Sequence, residues 1–206
     1  YEGVPFLFDR HMRRLRASGD RINLDLGISD EALEHRCTET MTAAGLGANG
    51  RDAYIRILIT RGIGEISYDP KSCPAPSIVI IVKPHAEVPA STYEHGITVS
   101  LVGIVRNHPG TVNPLIKSNN LLNNALGQQE AMRKGGVEAI MRNYRGEIAE
   151  CSQSNIFIVK DGTVYTPPVT DGALDGITRR VVLEICREQQ IPAEEKTMNR
   201  FTVTCA

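Results

Sequence analysis

The segment "NPLIKSNNLLNN" (113–124) sets Lys117 directly behind Leu115 and Ile116, at what reads as a strand-to-helix junction. A lysine partly withdrawn from water has a lowered pKa, because burial disfavours its charged form. A neutral amine is what a Schiff base with an aldehyde requires. The plainer alternative is a solvated loop lysine, which describes most lysines. Glu150 in "GEIAECSQSNIFIV" stands at the end of an apolar hairpin whose Ile148, Ile156 and Ile158 read as core. It is either an edge glutamate facing water or a buried carboxylate. A buried one needs a cationic or N–H partner, since an unpaired buried charge is too costly. A pyridinium nitrogen would serve.

Three further groups carry weaker signals. In "ALDGITRR" (173–180) a glycine precedes Ile177 and Thr178 at a predicted helix start. Free backbone N–H groups, a hydroxyl and the positive end of the helix dipole are the ingredients of a phosphate site, although an ordinary N-cap has the same look. Arg14 in "HMRRLRAS" sits beside Met12 and Leu15, which face the core; an inward-aimed arginine there would clamp a phosphate through its planar fork. Tyr54 and Arg56 in "AYIRILIT" share one strand face by alternation. That face is either plain solvent exposure or the wall of a carboxylate pocket. Taken together, these residues supply a reactive amine, a partner for a ring nitrogen, two phosphate anchors and a carboxylate site. The set describes pyridoxal phosphate (PLP) carrying an amino acid.

The elements that must position them follow from periodicity. "YEGVPFLF" reads as a turn on Glu2-Gly3 between strand-like residues, and Phe8, Met12, Leu15 and Ile22 then recur at helical spacing. Ser29 is the predicted N-cap of a second helix, with Ile28 and Leu33 spaced as a hydrophobic staple and Gly45 at its stop. "DAYIRILIT" and "SIVIIVK" are β-branched runs and predict strands. The pattern dissolves between Lys83 and Gly96 into Pro, Ala, Ser and Gly, which predicts a linker. A strand over 97–104, the Lys117 loop and a helix through Leu122, Leu126 and Met132 come next. Two hairpins follow, turning at 144–146 and at Asp161-Gly162, and then a turn into a last helix. No βαβ rhythm is visible, so the expectation is an α+β fold with a small lobe over 1–85, a linker over 86–96 and a larger lobe over 97–206.

Composition narrows the class. The 206 residues suffice for one large or two small cores. A formal net charge of −1 without any Lys/Arg block gives no case for nucleic acid or an anionic membrane. No apolar run reaches bilayer length, and no signal-peptide pattern opens the chain, so the expectation is a cytoplasmic protein. Five cysteines without short spacing argue against a disulfide framework, and five histidines without an HxxxH or HExxH pair argue against a protein-built metal centre. With no initiator Met, and with "FTVTCA" stopping inside an apparent strand, both ends read as cut from a longer chain.

The order "HMRRLRAS", "AYIRILITRG", "RNHPGTVNPLIKSNNLLNNALGQQEA", "EIAECSQSNIFIVKDG" and "LDGITRR" resembles the class IV, or fold type IV, PLP aminotransferases over nearly the whole chain. It is most similar to bacterial branched-chain amino acid aminotransferases; D-amino acid aminotransferases and aminodeoxychorismate lyases share the family. The resemblance implies a two-lobed homodimer with the cofactor between a small α/β lobe and a larger lobe of mixed strands and helices. It implies amino-group transfer from an amino acid, branched-chain by closest similarity, to 2-oxoglutarate. By position, Lys117 would hold PLP, and Glu150 would face the pyridine nitrogen. Arg14, Ile177 and Thr178 would hold the phosphate, Leu174 would pack on the ring, and Tyr54 and Arg56 would line the substrate pocket. Three features depart from the branched-chain pattern. Leu121 stands where KSxNYLNN has tyrosine, and "CSQSN" after Glu150 is nearer the D-specific version. The downstream threonine loop that completes the phosphate cup lies outside the sequence. From a different class, a non-catalytic small-molecule-binding or dimerisation module remains the competing reading.

Overall fold

The computed structural model describes residues 1–47 and 51–204 and divides into two compact units, Tyr1–Pro89 and Ala90–Ala206. In the first, the turn at Glu2-Gly3 forms, with the Val4 N–H donating to the Tyr1 carbonyl at 2.8 Å. The chain then enters α1 (Phe8–Asp20) rather than completing a hairpin. Helix α2 (Asp30–Ala43) is capped as its sequence predicts: the Ser29 hydroxyl accepts from the Ala32 N–H at 3.2 Å, a contact worth about 1 kcal/mol. Leu33, Cys37 and Met41, four residues apart, form its buried side. That helix packs on an antiparallel pair, β1 (Ala53–Thr60) and β2 (Ser77–Pro84).

The second unit opens with a short helix, α3 (Ala90–His95), inside the stretch that composition alone reads as linker. Pro89 immediately precedes it, where a missing N–H costs no hydrogen bond. Strand β3 (Val99–Val105) runs parallel to β4 (Glu138–Arg142), which pairs antiparallel with β5 (Ile148–Cys151). A second sheet is made by β6 (Ile158–Lys160), β7 (Thr163–Thr166) and β8 (Ala193–Glu195); its first pair is antiparallel and its second parallel. The β6–β7 turn places Asp161 at φ 49° and Gly162 at φ 74°, the left-handed pair that two-residue hairpins favour.

Helix α4 (Leu122–Arg133) connects β3 to β4, and α5 (Ile177–Glu188) connects β7 to β8, so each parallel pair is closed by a helical crossover. The expectation of no βαβ rhythm is therefore corrected. The long loops before both helices break the alternation of elements, and the rhythm cannot be read along the chain. The mixed α+β class stands, because each crossover is joined to an antiparallel hairpin. The C-terminal "FTVT", expected as strand, lies in a short helix, α6 (Arg200–Thr204).

Side-chain alternation on β4 divides the core in two. Ala139 and Met141 join Val102 and Ala131 against α4, while Ile140 joins Ile148, Cys151, Ile158 and Met198 toward the second sheet. Full burial of a side chain such as Met141 or Ile148 stabilises by roughly 1.5–3 kcal/mol. The helix meets the sheet through Gly127 and Ala131, not through its expected apolar stripe. Leu122, Leu126 and Met132 are 67%, 42% and 64% exposed. Small residues win the inner face because they let the helix backbone lie close over Met141, against which Gly127 packs. Among the described residues no helix is long and apolar enough to cross a membrane. The four described cysteines, Cys37, Cys73, Cys151 and Cys186, are free, and Cys205 lies outside the described residues.

Candidate active site

Glu150 is buried on β5, 5% exposed, and both of its carboxylate oxygens are hydrogen-bonded. Oε1 accepts from Arg106 Nε at 2.8 Å and Oε2 from the Leu174 N–H at 2.8 Å, so each oxygen has one short partner and acceptor capacity to spare. The Asn155 amide stands 3.5 Å from Oε2 and donates to the Leu174 carbonyl at 3.0 Å. Of the two sequence readings, the buried one holds, and the partners it demands are an arginine and a backbone N–H. Burial pushes the carboxyl pKa up; the Arg106 charge, the Leu174 N–H and the Lys117 charge pull it back, and the balance stays on the raised side. Arg106 is itself buried, and its N–H extends the β3–β4 ladder by donating to the Arg142 carbonyl at 2.8 Å.

Lys117 lies in the loop between β3 and α4. The Ser118 N–H donates to the Ile116 carbonyl at 2.8 Å, which makes Lys117 the middle residue of a three-residue turn. Its neighbours Leu115 and Ile116 are half-buried and Pro114 is buried, but Lys117 itself is exposed. The expected withdrawal from water is thus corrected: the tight turn carries the backbone past the apolar packing of its neighbours and leaves the lysine outside it. It is nonetheless near enough for its charge to act on Glu150.

Leu174 is half-buried and sits two residues before Gly176, the N-cap of α5. No side chain caps this helix start. A Cβ on Gly176 would come within 2.1 Å of Asn155 Oδ1, so glycine is what lets the helix begin against the residue that braces Glu150. Ile177 is buried and Thr178 exposed in the first turn. Lys117, Glu150, Leu174, Ile177 and Thr178 therefore all belong to the C-terminal unit. Its loops at the carboxyl ends of β3 and β7 meet where the Leu174 N–H and Arg106 share the Glu150 carboxylate. Ends of parallel strands are where open α/β sheets commonly bind ligands.

Arg14, Tyr54 and Arg56 belong to the N-terminal unit. Arg14 is half-buried on α1, and Tyr54 and Arg56 are exposed on one face of β1, as alternation predicts. Lys83, the cross-strand partner of Tyr54, lies with its ammonium 5.0 Å from the Tyr54 ring centre.

Sequence reasoning missed Arg106, Asn155 and the amide pair Asn123–Asn124. The available signal for Arg106 was a lone arginine closing the β-branched run "VSLVGIVR". Asn155 could have been suspected only from its place after the Glu150 strand.

These residues fit PLP by their chemistry. An amine, a buried acid with one cation behind it, and an uncapped helix start answer the cofactor's aldehyde, ring nitrogen and phosphate. The family described as amino-transferase class IV matches residues 1–206. A Methanocaldococcus jannaschii protein, provisionally named a branched-chain-amino-acid aminotransferase, is 36% identical over 96% of this chain and 66% of its own length. A D-alanine aminotransferase of Staphylococcus haemolyticus is 33% identical over 98% of this chain and 68% of its own. Among solved structures, the branched-chain aminotransferase of Thermoproteus uzoniensis with norvaline superposes with a TM-score of 0.89 at 33% identity, covering 98% of this chain and 66% of that one. The chain spans about two thirds of the length of these relatives. On sequence, fold and the chemistry of its buried carboxylate, this chain belongs to the class IV aminotransferases.

Proposed function

We propose that the protein is a PLP-dependent transaminase that moves the amino group of an aliphatic, branched-chain amino acid to 2-oxoglutarate. The observation that carries this reading is the Glu150 carboxylate, buried and braced by Arg106 and the Leu174 N–H, with the Lys117 charge acting on it. When bound, the cofactor draws into its ring the electron pair left at Cα as the α-proton departs. Lys117 is the amine that would carry the cofactor, and its Nζ, freed when the substrate amine takes its place, would take the proton from Cα and return it at C4′. Glu150 would hold a proton on the cofactor's ring nitrogen. The N–H groups of Ile177 and Thr178 and the Thr178 hydroxyl anchor the phosphate at the α5 start, with Arg14 as a second anchor. Leu174 packs on the ring, and Tyr54 and Arg56 take the substrate carboxylate.

The branched-chain donor is supported by the names of the archaeal relative and of the Thermoproteus structure. The Staphylococcus relative supports a second reading, a D-amino acid aminotransferase. A panel of L- and D-amino acids with 2-oxoglutarate separates the two, and pyruvate release without an amino acceptor would mark a lyase instead. A cytoplasmic homodimer completes the proposal, checked by fractionation and by sedimentation. The central experiment is Lys117→Ala: the purified protein is expected to lose its yellow colour and its turnover. A variant with unchanged colour and rate would end the proposal. Failure of borohydride to fix PLP on Lys117 would favour a non-catalytic binding module.

A further inference from the structure

Asn123 and Asn124 stand in the first turn of α4, six and seven residues after Lys117. Each amide nitrogen is committed to a carbonyl: Asn123 Nδ2 donates to Val105 O at 2.8 Å and Asn124 Nδ2 to Ser152 O at 2.8 Å. With the nitrogens so fixed, both side-chain oxygens turn to one atom, Arg106 Nη1, at 3.2 and 3.1 Å. The Asn123 oxygen also accepts from the Asn107 N–H at 3.2 Å. The guanidinium is thus gripped from behind by two neutral dipoles, while its Nε donates to Glu150.

We propose that Asn123 and Asn124 are positioning residues that set the charge on Glu150 by holding the Arg106 guanidinium against it. Neutral acceptors suit this task, because they satisfy the far side of the guanidinium without offering a competing anion. They also join three elements, since Val105 ends β3, Ser152 follows β5 and the asparagines belong to α4. The charge of Glu150 is sensitive to this grip, because burial works against ionisation and Arg106 is the largest opposing influence. The other groups acting on the carboxyl are the Leu174 N–H and the Lys117 charge. The adjacent Cys151 thiol, pushed up to about 12 chiefly by its own burial, stays neutral. The catalytic consequence, a carboxylate kept ionised toward a ring nitrogen, rests on the transaminase reading; the electrostatic content does not.

The test is the carboxyl titration of Glu150, followed by carbon NMR in side-chain-labelled protein without cofactor or substrate. Asn123→Ala and Asn124→Ala are each expected to raise its midpoint by roughly half a pH unit or more, as befits a loosened charge-assisted contact. Exchange of the Arg106 Nε proton with water is expected to quicken in the same variants. Gln128→Ala is the control. Gln128 lies on the same helix and accepts from the Ser152 hydroxyl without touching Arg106, so the midpoint is expected to stay. Should an alanine variant not fold, the serine variants carry the same expectations. An unmoved midpoint in the asparagine variants, or an equal rise in Gln128→Ala, would overturn the proposal. Neither result bears on turnover, so this inference and the transaminase reading can fail separately.

Discussion

Glu150 shows how one carboxylate is held between opposing forces. Burial favours its neutral form; a guanidinium, a backbone N–H and a more distant ammonium favour the anion. Glu150→Gln keeps the size and removes the charge. It is expected to retain cofactor while slowing proton removal from Cα by about 10²-fold or more, the scale of such electrostatic and acid–base contributions. Single-turnover absorbance measures this, and an unchanged rate would leave the residue a structural role only. Arg106→Met leaves the same carboxylate buried without its cation. Breaking a buried pair from one side costs roughly 3–5 kcal/mol, to be read from denaturant unfolding. Lys117 teaches the opposite lesson. Aliphatic neighbours in sequence do not make a residue buried, because a single tight turn can send its side chain the other way.

Elements place these residues through two connections, β3 to α4 and β7 to α5. The second depends on Gly176, whose hydrogen faces Asn155 Oδ1. Gly176→Ala is expected to push Asn155 off Leu174 and Glu150, costing about 1–3 kcal/mol as overpacking does, and to weaken PLP retention in a dialysis assay. The first connection leaves N–H groups on β3 for Glu130 of α4 to satisfy. Its carboxylate accepts from Gly103 and Ile104 at 2.8 and 3.2 Å and pairs with Lys134. These contacts, the Lys134 bond foremost, hold the Glu130 pKa near about 2, against an ordinary 4.5. A carboxyl with a depressed folded pKa stabilises above its unfolded value, and that stability is lost as pH falls through the folded one. Wild-type stability is therefore expected to fall between 4.5 and about 2 by more than that of Glu130→Gln. Parallel acid limbs in denaturant titrations would contradict this.

At the scale of the molecule, each of the two units carries its own core. In the N-terminal unit Leu33 is fully buried beside Cys37 and Met41. Leu33→Ala is expected to cost roughly 2–5 kcal/mol, the range for an aliphatic truncation that leaves a cavity. Thermal unfolding checks it, and a loss under 1 kcal/mol would mean that the site collapses without a void. The exposed stripe Leu122, Leu126 and Met132 marks a limit of periodicity. Helical spacing through Leu122, Leu126 and Met132 identified α4 correctly, but Gly127 and Ala131 occupy its buried face.

The sequence by itself determined much of the local structure. The Ser29 cap, the Asp161-Gly162 turn, the β-branched strands and the helix start at Ile177 depend on neighbours a few residues apart. It determined the family as well, because the ordered motifs around Lys117, Glu150 and Ile177-Thr178 are carried by residue type and spacing. Only the tertiary structure decided what surrounds those residues. Arg106 reaches Glu150 across 44 positions, and the Leu174 N–H reaches it across 24. Such partners have no periodic signature, since sheet pairing and two helical crossovers bring them together, and burial becomes a property of a side chain only once the distant segments that cover it have closed.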